Sequence, residues 1–351
     1  MISFYPGPSK IYPEVASYLQ DAIKEGILSV NHRSPEFVEI SKSAIYNLKE
    51  KLNIPENYTV FYTSSATECW EIIAQSLIKR GSYHIFNGAF GEKWYKNTSK
   101  LIPYSQSYWF DKEETIDINQ IKVSKDTEVI CLTQNETSNG TQVLEGTIKE
   151  LEDKFPEQLI AIDATSCMGG VATDFTVADI WLASVQKCFG MPAGLGLLIC
   201  SPKAINRALM FNENHYYNSL VFMYENMKSW QTSYTPNVLN IYLLNRIFSE
   251  VKPIQTINAT LKERAKGWYA FIEGLDGISP LVDNLATRSD TVIAVKGEPE
   301  LISHIKSSAK KKGLLLGNGY GQWASDAFRI ANFPAISDDE IDALKEFLKA
   351  F

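Results

Sequence analysis

Long apolar runs are missing from this chain. No stretch of its 351 residues approaches the ~18 consecutive apolar residues that a membrane-crossing helix requires. The opening segment, MISFYPGPSK, has no basic region leading into an apolar one, so neither a span nor a secretory signal is expected. Cysteine is scarce: there are five, an odd number without repeated short spacing, a pattern that supports neither a disulfide framework nor a metal site. The closest pairs are Cys167/Cys188 and Cys188/Cys200, and Cys131 and Cys200 stand in apolar, strand-like runs. Thiols packed in a core, in a reducing cytoplasmic compartment, are the expected reading. An excess of positive charge is missing too. Thirty-four Lys and Arg against 41 Asp and Glu give a net charge of -7, which disfavours nucleic acid or an anionic membrane as partner but permits a local cationic pocket. Internal repeats and low-complexity tracts are absent as well.

What is present is an ordinary globular balance, 45% hydrophobic and 21% charged, in a chain long enough for a large domain and a smaller one. YPEVASYLQDAIKEGI reads as an amphipathic helix, and SPEFVEISKSAIYNLKEKLNI as a longer one with Ser34 as cap and Pro35 in its first turn. Short, nearly continuous apolar runs follow: TVFYT (59–63), YHIF (83–86), EVICLT (128–133), QLIAIDA (158–164), DIWLASV (179–185) and GLGLLIC (194–200). Helical stretches such as CWEIIAQSLI and GTIKELEDKF (146–155) separate some of them, and a helix is expected after NGAFGEK. Runs apolar on both faces, joined by helices, predict a mostly parallel sheet covered on both sides. The last two runs are too close for a helical crossover, so an antiparallel strand is expected there. From about residue 250 a long charged helix, DTVIAVK (290–296), PELISHIKSSAKKKG, a Gly-rich stretch, AFRIANF (327–333) and a final helix predict a small α+β unit.

Ligands of α/β sheets collect at the carboxyl ends of the strands, and three polar features fall there. TVFYTSSATEC runs from strand through small polar residues into a helix, a good cradle for a phosphate. It is not GxxxxGK[ST], so an ATP-type loop is unsupported, and Ser64 or Ser65 as a plain helix cap reads the same stretch equally well. Asp163 ends the run LIAID, where a carboxylate needs a cation, donors or a ligand; it suits a protonated pyridine-type nitrogen, or a loop cap. Lys187, in LASVQKCFGMPAGLG, is either a solvated strand-end cation or an amine whose pKa is depressed for Schiff-base chemistry. The glycines after it permit close backbone approach beside something bulky. A phosphate cradle, a carboxylate and an amine are together the three handles of pyridoxal phosphate (PLP).

In these and further segments the chain resembles the class V, fold-type I PLP-dependent aminotransferases. The resemblance runs through FYPGPSKIYPEV, NHRSPEF (31–37), LNIPENYTVFYTSSAT, NETSNGT (135–141), IAIDATS, SVQKCFGMPAGLG, YTP (234–236) and FRIANFP (328–334). The DATS and SVQK segments are specific at superfamily level; NHRSPEF and NET point to the phosphoserine branch. The resemblance implies a three-layer α/β fold, with a mixed, mostly parallel sheet in a large PLP-binding domain (12–245) and a small α+β domain (1–11 plus 246–351). It implies PLP covalently held by Lys187, with Asp163 on the pyridine nitrogen. Ser65, Ala66 and Thr67 fall in the phosphate loop, with Gln186 and Thr165 touching phosphate or ring and Thr137 near O3′. Phe90 stands where the family stacks a Trp on the ring, keeping the surface but losing the indole donor. Thr235, preceded by Tyr234 where the family has Asn, would reach the cofactor of a neighbouring subunit, which implies a homodimer with shared active sites. Arg329 matches the clamp for the substrate α-carboxylate, and His32 and Arg33 match residues that bind the substrate's distal anion across the interface.

Two departures bear on the substrate. The family's GHR stretch before the carboxylate clamp corresponds here to LLLGNGYGQWASDAFR, with no His or Arg between Lys312 and Arg329. The phosphate loop is SSAT, without an Arg. Fewer cations weaken recognition of a dianion. The expected activity is transamination of O-phospho-L-serine with 2-oxoglutarate. The alternatives are a class V aminotransferase for an unphosphorylated amino acid such as serine or alanine with a small oxo acid, a same-fold PLP lyase, and a non-catalytic binding protein on the same scaffold. A cysteine desulfurase would need a nucleophilic Cys in a mobile late loop, and none of the five stands in one.

Overall fold

The computed structural model describes residues 1–351. Its main sheet has seven strands in the spatial order Thr59–Thr63, Gly196–Cys200, Ile180–Ser184, Leu159–Asp163, Thr127–Thr133, Gly81–Phe86 and Gln106–Trp109. The interior strands are buried at every position. Successive side chains point to opposite faces, so runs such as LIAID and IWLAS leave both faces apolar, and helices cover both. Gly196–Cys200 is antiparallel to both its neighbours, while the other pairings in this sheet are parallel. The connection 185–195 is too short for a crossover helix, so the chain must turn back, and Lys187 lies on that turn. The parallel strands therefore end at one edge of the sheet, at Thr63, Thr133, Asp163 and Ser184.

The helices begin where local chemistry starts them. Pro35–Leu52 carries Pro35 at its first turn, and the Ser34 hydroxyl accepts from Phe37 N. Ala66–Leu77 is capped by Ser65, whose hydroxyl accepts from Glu68 N at 3.2 Å. The helix expected after NGAFGEK starts within that segment, at Ala89, and runs to Leu101. It can start early because Gly88 stands at its N-cap with φ -162 and ψ -173, and Phe90 N and Gly91 N both donate to the buried Glu136 carboxylate.

A second sheet of five strands, in the order Ile2–Phe4, Leu314–Asn318, Ala327–Ala331, Val292–Gly297 and Ile278–Pro280, is packed by the helices Ile254–Glu273, Pro299–Lys311 and Asp338–Leu348. It has its own apolar core, containing Phe4, Trp268, Phe328 and Phe333. Three of its strands, Ile2–Phe4, Ile278–Pro280 and Leu314–Asn318, carry no clear signal in the sequence because they are short or glycine-bounded; Gln106–Trp109 at the edge of the main sheet is likewise unannounced, being largely exposed.

Leu198 tests the main core. It is fully buried on the antiparallel strand and sits opposite Phe61 on one side and Leu182 on the other. Leu198→Ala is expected to lower stability by about 2–5 kcal/mol through the cavity it leaves, read as a lower urea midpoint. A midpoint unchanged from wild type would mean the sheet interior repacks freely.

Candidate active site

At the common strand edge lies a cavity of about 240 Å³ whose lining includes Lys187, Asp163, Arg329, Phe90, Thr137 and Tyr320. Lys187 is only 7% exposed, so its amine is not a solvated strand-end cation. Nζ donates to Thr137 Oγ1 at 2.8 Å. Burial pushes its pKa down, against the opposing pull of Asp163 and Glu136. The side chain passes over Gly7, where a Cβ would come within 2.9 Å of Lys187 Cε and φ is +152, a position that only glycine fills without strain.

Asp163 closes its strand inside the cavity wall. Trp70 Nε1 donates to Oδ2 at 3.0 Å and Thr165 N to Oδ1 at 3.0 Å. Burial raises its pKa, and those donors together with Lys187 oppose the rise. The carboxylate is thus anchored at both oxygens but lacks an adjacent cation of its own.

Arg329 comes from the second sheet, paired with Gly317 and Ala294 in the register. Nε donates to Asn318 O and Nη1 to Thr137 O, both at 2.7 Å. Backbone carbonyls therefore fix the guanidinium plane and leave Nη2 free for a carboxylate. Burial lowers its pKa to about 10, with Glu136 resisting, so the group stays cationic at neutral pH. Thr137 serves both sheets: its hydroxyl holds Lys187 and its carbonyl holds Arg329.

Ala66, Thr67, Thr165 and Gln186 also line the cavity, the first two opening the helix Ala66–Leu77, where backbone N–H groups lack helical partners. Ala66 N is taken by Ser184 Oγ at 2.7 Å. Ser65, expected at the site, does not line the cavity, and neither do Tyr234, Thr235, His32 and Arg33, expected to serve a neighbouring subunit's site. Ser65 is the helix cap described above. Tyr234 bonds Tyr62 O at 3.3 Å, and Thr235 is exposed. Arg33 is exposed and donates to Asn226 Oδ1 and Gln231 Oε1, with His32 beside it.

Four site residues go beyond the sequence expectation. Trp70 has a signal, since it lies four residues after Ala66 and so on the same helix face. Ser184 ends its strand as Asp163 does. Glu136 sits between the two other residues of NET. Tyr320 lies in the Gly-rich stretch, whose only conspicuous feature in the sequence is the cations it lacks. The five thiols are all free and buried, in line with core packing, and no group of side chains forms a metal site. No helix is long and apolar enough to cross a membrane.

The model of the family "Aminotransferase class-V" matches residues 3–319. A phosphoserine aminotransferase of Corynebacterium glutamicum (strain R) is 28% identical, over 96% of this chain and 91% of the relative. The crystal structure of a phosphoserine aminotransferase from Cytophaga hutchinsonii superposes with a TM-score of 0.94 at 34% identity, covering 99% of this chain and 98% of the other. An aspartate aminotransferase from Thermus thermophilus shares the fold, with a TM-score of 0.86 at 20% identity and coverage of 100% and 98%. A family match over most of the chain, and a likeness that extends end to end to a 34%-identical aminotransferase, make this protein a member of the class V aminotransferases.

Proposed function

We propose that the cavity binds pyridoxal 5'-phosphate through Lys187 and that the protein is a transaminase converting O-phospho-L-serine and 2-oxoglutarate to 3-phosphooxypyruvate and L-glutamate. The observation that carries the reading is the convergence on one cavity of a buried amine, a doubly anchored carboxylate and a half-satisfied guanidinium from a different sheet. The donor set fits the cofactor. The helix opening at Thr67, with Gln186, suits its phosphate; Asp163, without an adjacent cation, suits a protonated ring nitrogen; Phe90 offers an aromatic face 5.3 Å from the Lys187 amine. Thr133 Oγ1, in the same lining, is buried without a partner. Such an atom is rarely left unpaired unless a ligand or water meets it.

When bound, the cofactor supplies an electron-accepting ring that eases breaking of an amino acid's Cα–H bond. The chain's own residues do the rest. Nη2 of Arg329 takes the α-carboxylate and orients the amino acid, with Thr137 O and Asn318 O preventing the guanidinium from rotating away. Asp163 keeps a proton on the ring nitrogen. Lys187, with its pKa lowered by burial, has a larger share of free amine at neutral pH and moves the proton to and from Cα. Hydrogen bonding to Thr137 Oγ1 aims that amine.

The domain division into 12–245 and 1–11 plus 246–351 is part of this reading. The pairing of Ile2–Phe4 with Leu314–Leu316 supports the N-terminal part of it. The first apolar core, however, runs on through Ile247, Phe248 and Ile254, so the helix Val238–Glu250 crosses the proposed boundary and the large domain extends past it. A cytoplasmic homodimer belongs to the same reading. Thr235, Tyr234, His32 and Arg33 miss their own cavity, and Thr235 and Arg33 are exposed, as residues serving a second copy's site would be.

The substrate is supported by relatives named phosphoserine aminotransferase at 28% and 34% identity. One observation favours an unphosphorylated amino acid instead: Arg329 is the only cation besides Lys187 in the cavity lining. Spectral titration of the cofactor-loaded protein with phosphoserine, serine, alanine and glutamate decides. Half-saturation by phosphoserine at a concentration about tenfold or more below serine is expected, since a charged contact contributes at least that much. A response to alanine or serine with none to phosphoserine would discard the phosphorylated substrate and retain the transaminase.

A further inference from the structure

We propose that Glu136 is a positioning residue acting through Lys187: its carboxylate, buried behind Thr137, is the fixed negative charge that balances Arg329 and so sets the pH at which the Lys187 amine becomes free. The inference rests on reading Lys187 as the amine of the active site.

Helix starts elsewhere in this chain are served locally. Ser34, Ser65, Ser201 and Ser337 each cap the helix that follows them with their own hydroxyl. The helix Ala89–Leu101 is different. Its N-cap is Gly88, which offers no side chain, and its first N–H groups are met by a carboxylate from far along the chain. Glu136 Oε2 accepts from Phe90 N and Gly91 N at 3.1 Å each, and Oε1 accepts from Ser138 N at 2.9 Å. A Cβ on Gly88 would lie 2.3 Å from Glu136 Cγ, so the missing side chain is what admits the carboxylate. Burying a carboxylate is costly unless donors and cations compensate it, and a serine would cap this helix without that cost. The charge has a use beyond the helix.

That use lies on the other side of Glu136. Thr137, the next residue, touches both cations of the catalytic cavity. Its hydroxyl accepts from Lys187 Nζ at 2.8 Å and its carbonyl from Arg329 Nη1 at 2.7 Å. Two cations sharing about 240 Å³ repel each other, and of the two it is lysine that gives up its proton. Asp163 opposes this at Lys187, but in the proposed function it is committed to the ring nitrogen. Glu136 is the carboxylate that acts on both Lys187 and Arg329, resisting the fall that burial imposes on each.

The other groups around the amine do not supply such a charge. The Cys188 thiol is neutral, since burial pushes its pKa up. The segment Pro6–Pro8, Phe90 and Thr137 carry no charge, and Tyr320 is a phenol whose hydroxyl is bonded by Lys93, a cation 5.3 Å from the Phe90 ring. Burial raises the pKa of Glu136 itself, and the N–H groups on both its oxygens favour the charged form. A base serves best when its pKa lies near the working pH. Without Glu136 the amine would lose its proton at lower pH and be a weaker base for the Cα proton.

The test reads Lys187 directly in wild type, Glu136→Gln, Glu136→Asp, Arg329→Gln and the E136Q/R329Q pair. In the unloaded protein, reductive methylation of Lys187 by formaldehyde with cyanoborohydride is followed against pH by the mass of its peptide. E136Q is expected to shift the rising limb lower by about one pH unit and E136D to leave it in place. R329Q should shift it upward, and the pair should return it close to wild type. In the loaded enzyme, the half-reaction with glutamate should slow about tenfold in E136Q and largely recover in E136D. Thermal midpoints check that each variant is folded, and a limb unmoved in R329Q overturns the proposal even where E136Q does not fold. An unmoved limb in E136Q overturns it too, as does an equal shift in E136D; either reduces Glu136 to a helix anchor. A shifted limb in E136Q with an unchanged half-reaction rate likewise ends its part in the reaction. Methylation needs no cofactor, so a wild type whose Lys187 never takes up pyridoxal phosphate fells the site reading while the limb still decides the charge balance.

Discussion

Lys187→Ala is expected to lower the transamination rate by a factor on the order of 10,000 or more and to abolish the near-visible absorption of lysine-bound cofactor. Two roles are lost at one atom. Nζ is the only amine in the cavity, held at 2.8 Å from Thr137 Oγ1 over a glycine that leaves it room. In the proposed function it both attaches the cofactor and moves the proton. Burial lowers its pKa, so in the unloaded protein the free amine already forms below the usual lysine range, and the rate of cofactor uptake should climb with pH through a correspondingly early limb. Reduction of the loaded wild type with borohydride should add the cofactor's mass to the peptide containing Lys187. A K187A protein that retained the absorption band would move the attachment point to another residue.

Asp163→Asn should cost about 100- to 1,000-fold in rate, with a much smaller loss of bound cofactor. The side chain keeps its shape, but the negative charge that holds a proton on the ring nitrogen is gone, and the ring becomes a poorer electron acceptor. Asp163→Ala adds a second penalty. It leaves Trp70 Nε1 and Thr165 N, now bonded at 3.0 Å each, without acceptors in a buried place, at about 1–3 kcal/mol per group. The two variants therefore separate by thermal stability while sharing the rate defect. Turnover of D163N at the wild-type rate would rule out an electronic role for this carboxylate and reduce it to a structural anchor.

Much of this site is legible in the amino-acid sequence. Lys187 and Asp163 stand at the ends of short apolar runs, and the runs themselves predict a buried parallel sheet whose strand ends face a ligand. The chain has no room for a helix between residues 185 and 195, so the reversal that carries Lys187 follows from spacing. Ser65, by contrast, reads equally as a phosphate contact and as a cap, and its hydroxyl is spent on Glu68 N. Glu136 and Tyr320 carry no such local signal, for a common reason. Each matters through what it touches, and its partners lie far away along the chain: Glu136 grips residues 90 and 91, and Tyr320 packs on Phe90.

The sequence by itself determined most of the elements, the burial of both faces of the main sheet, and the places of the candidate amine and carboxylate at strand ends. Those follow from local periodicity and from which residue types can end a buried strand. Only the tertiary structure decided that Trp70 would anchor Asp163, that Thr137 would hold an amine from one sheet and a guanidinium from the other, and that Glu136 would reach the helix start at Phe90 and Gly91. Periodicity reports which face of an element is buried, but the pairing of buried faces depends on closure between segments tens to hundreds of residues apart. The candidate amine and carboxylate lie along short-range patterns, whereas the cavity they share with Arg329 closes only where the two sheets meet.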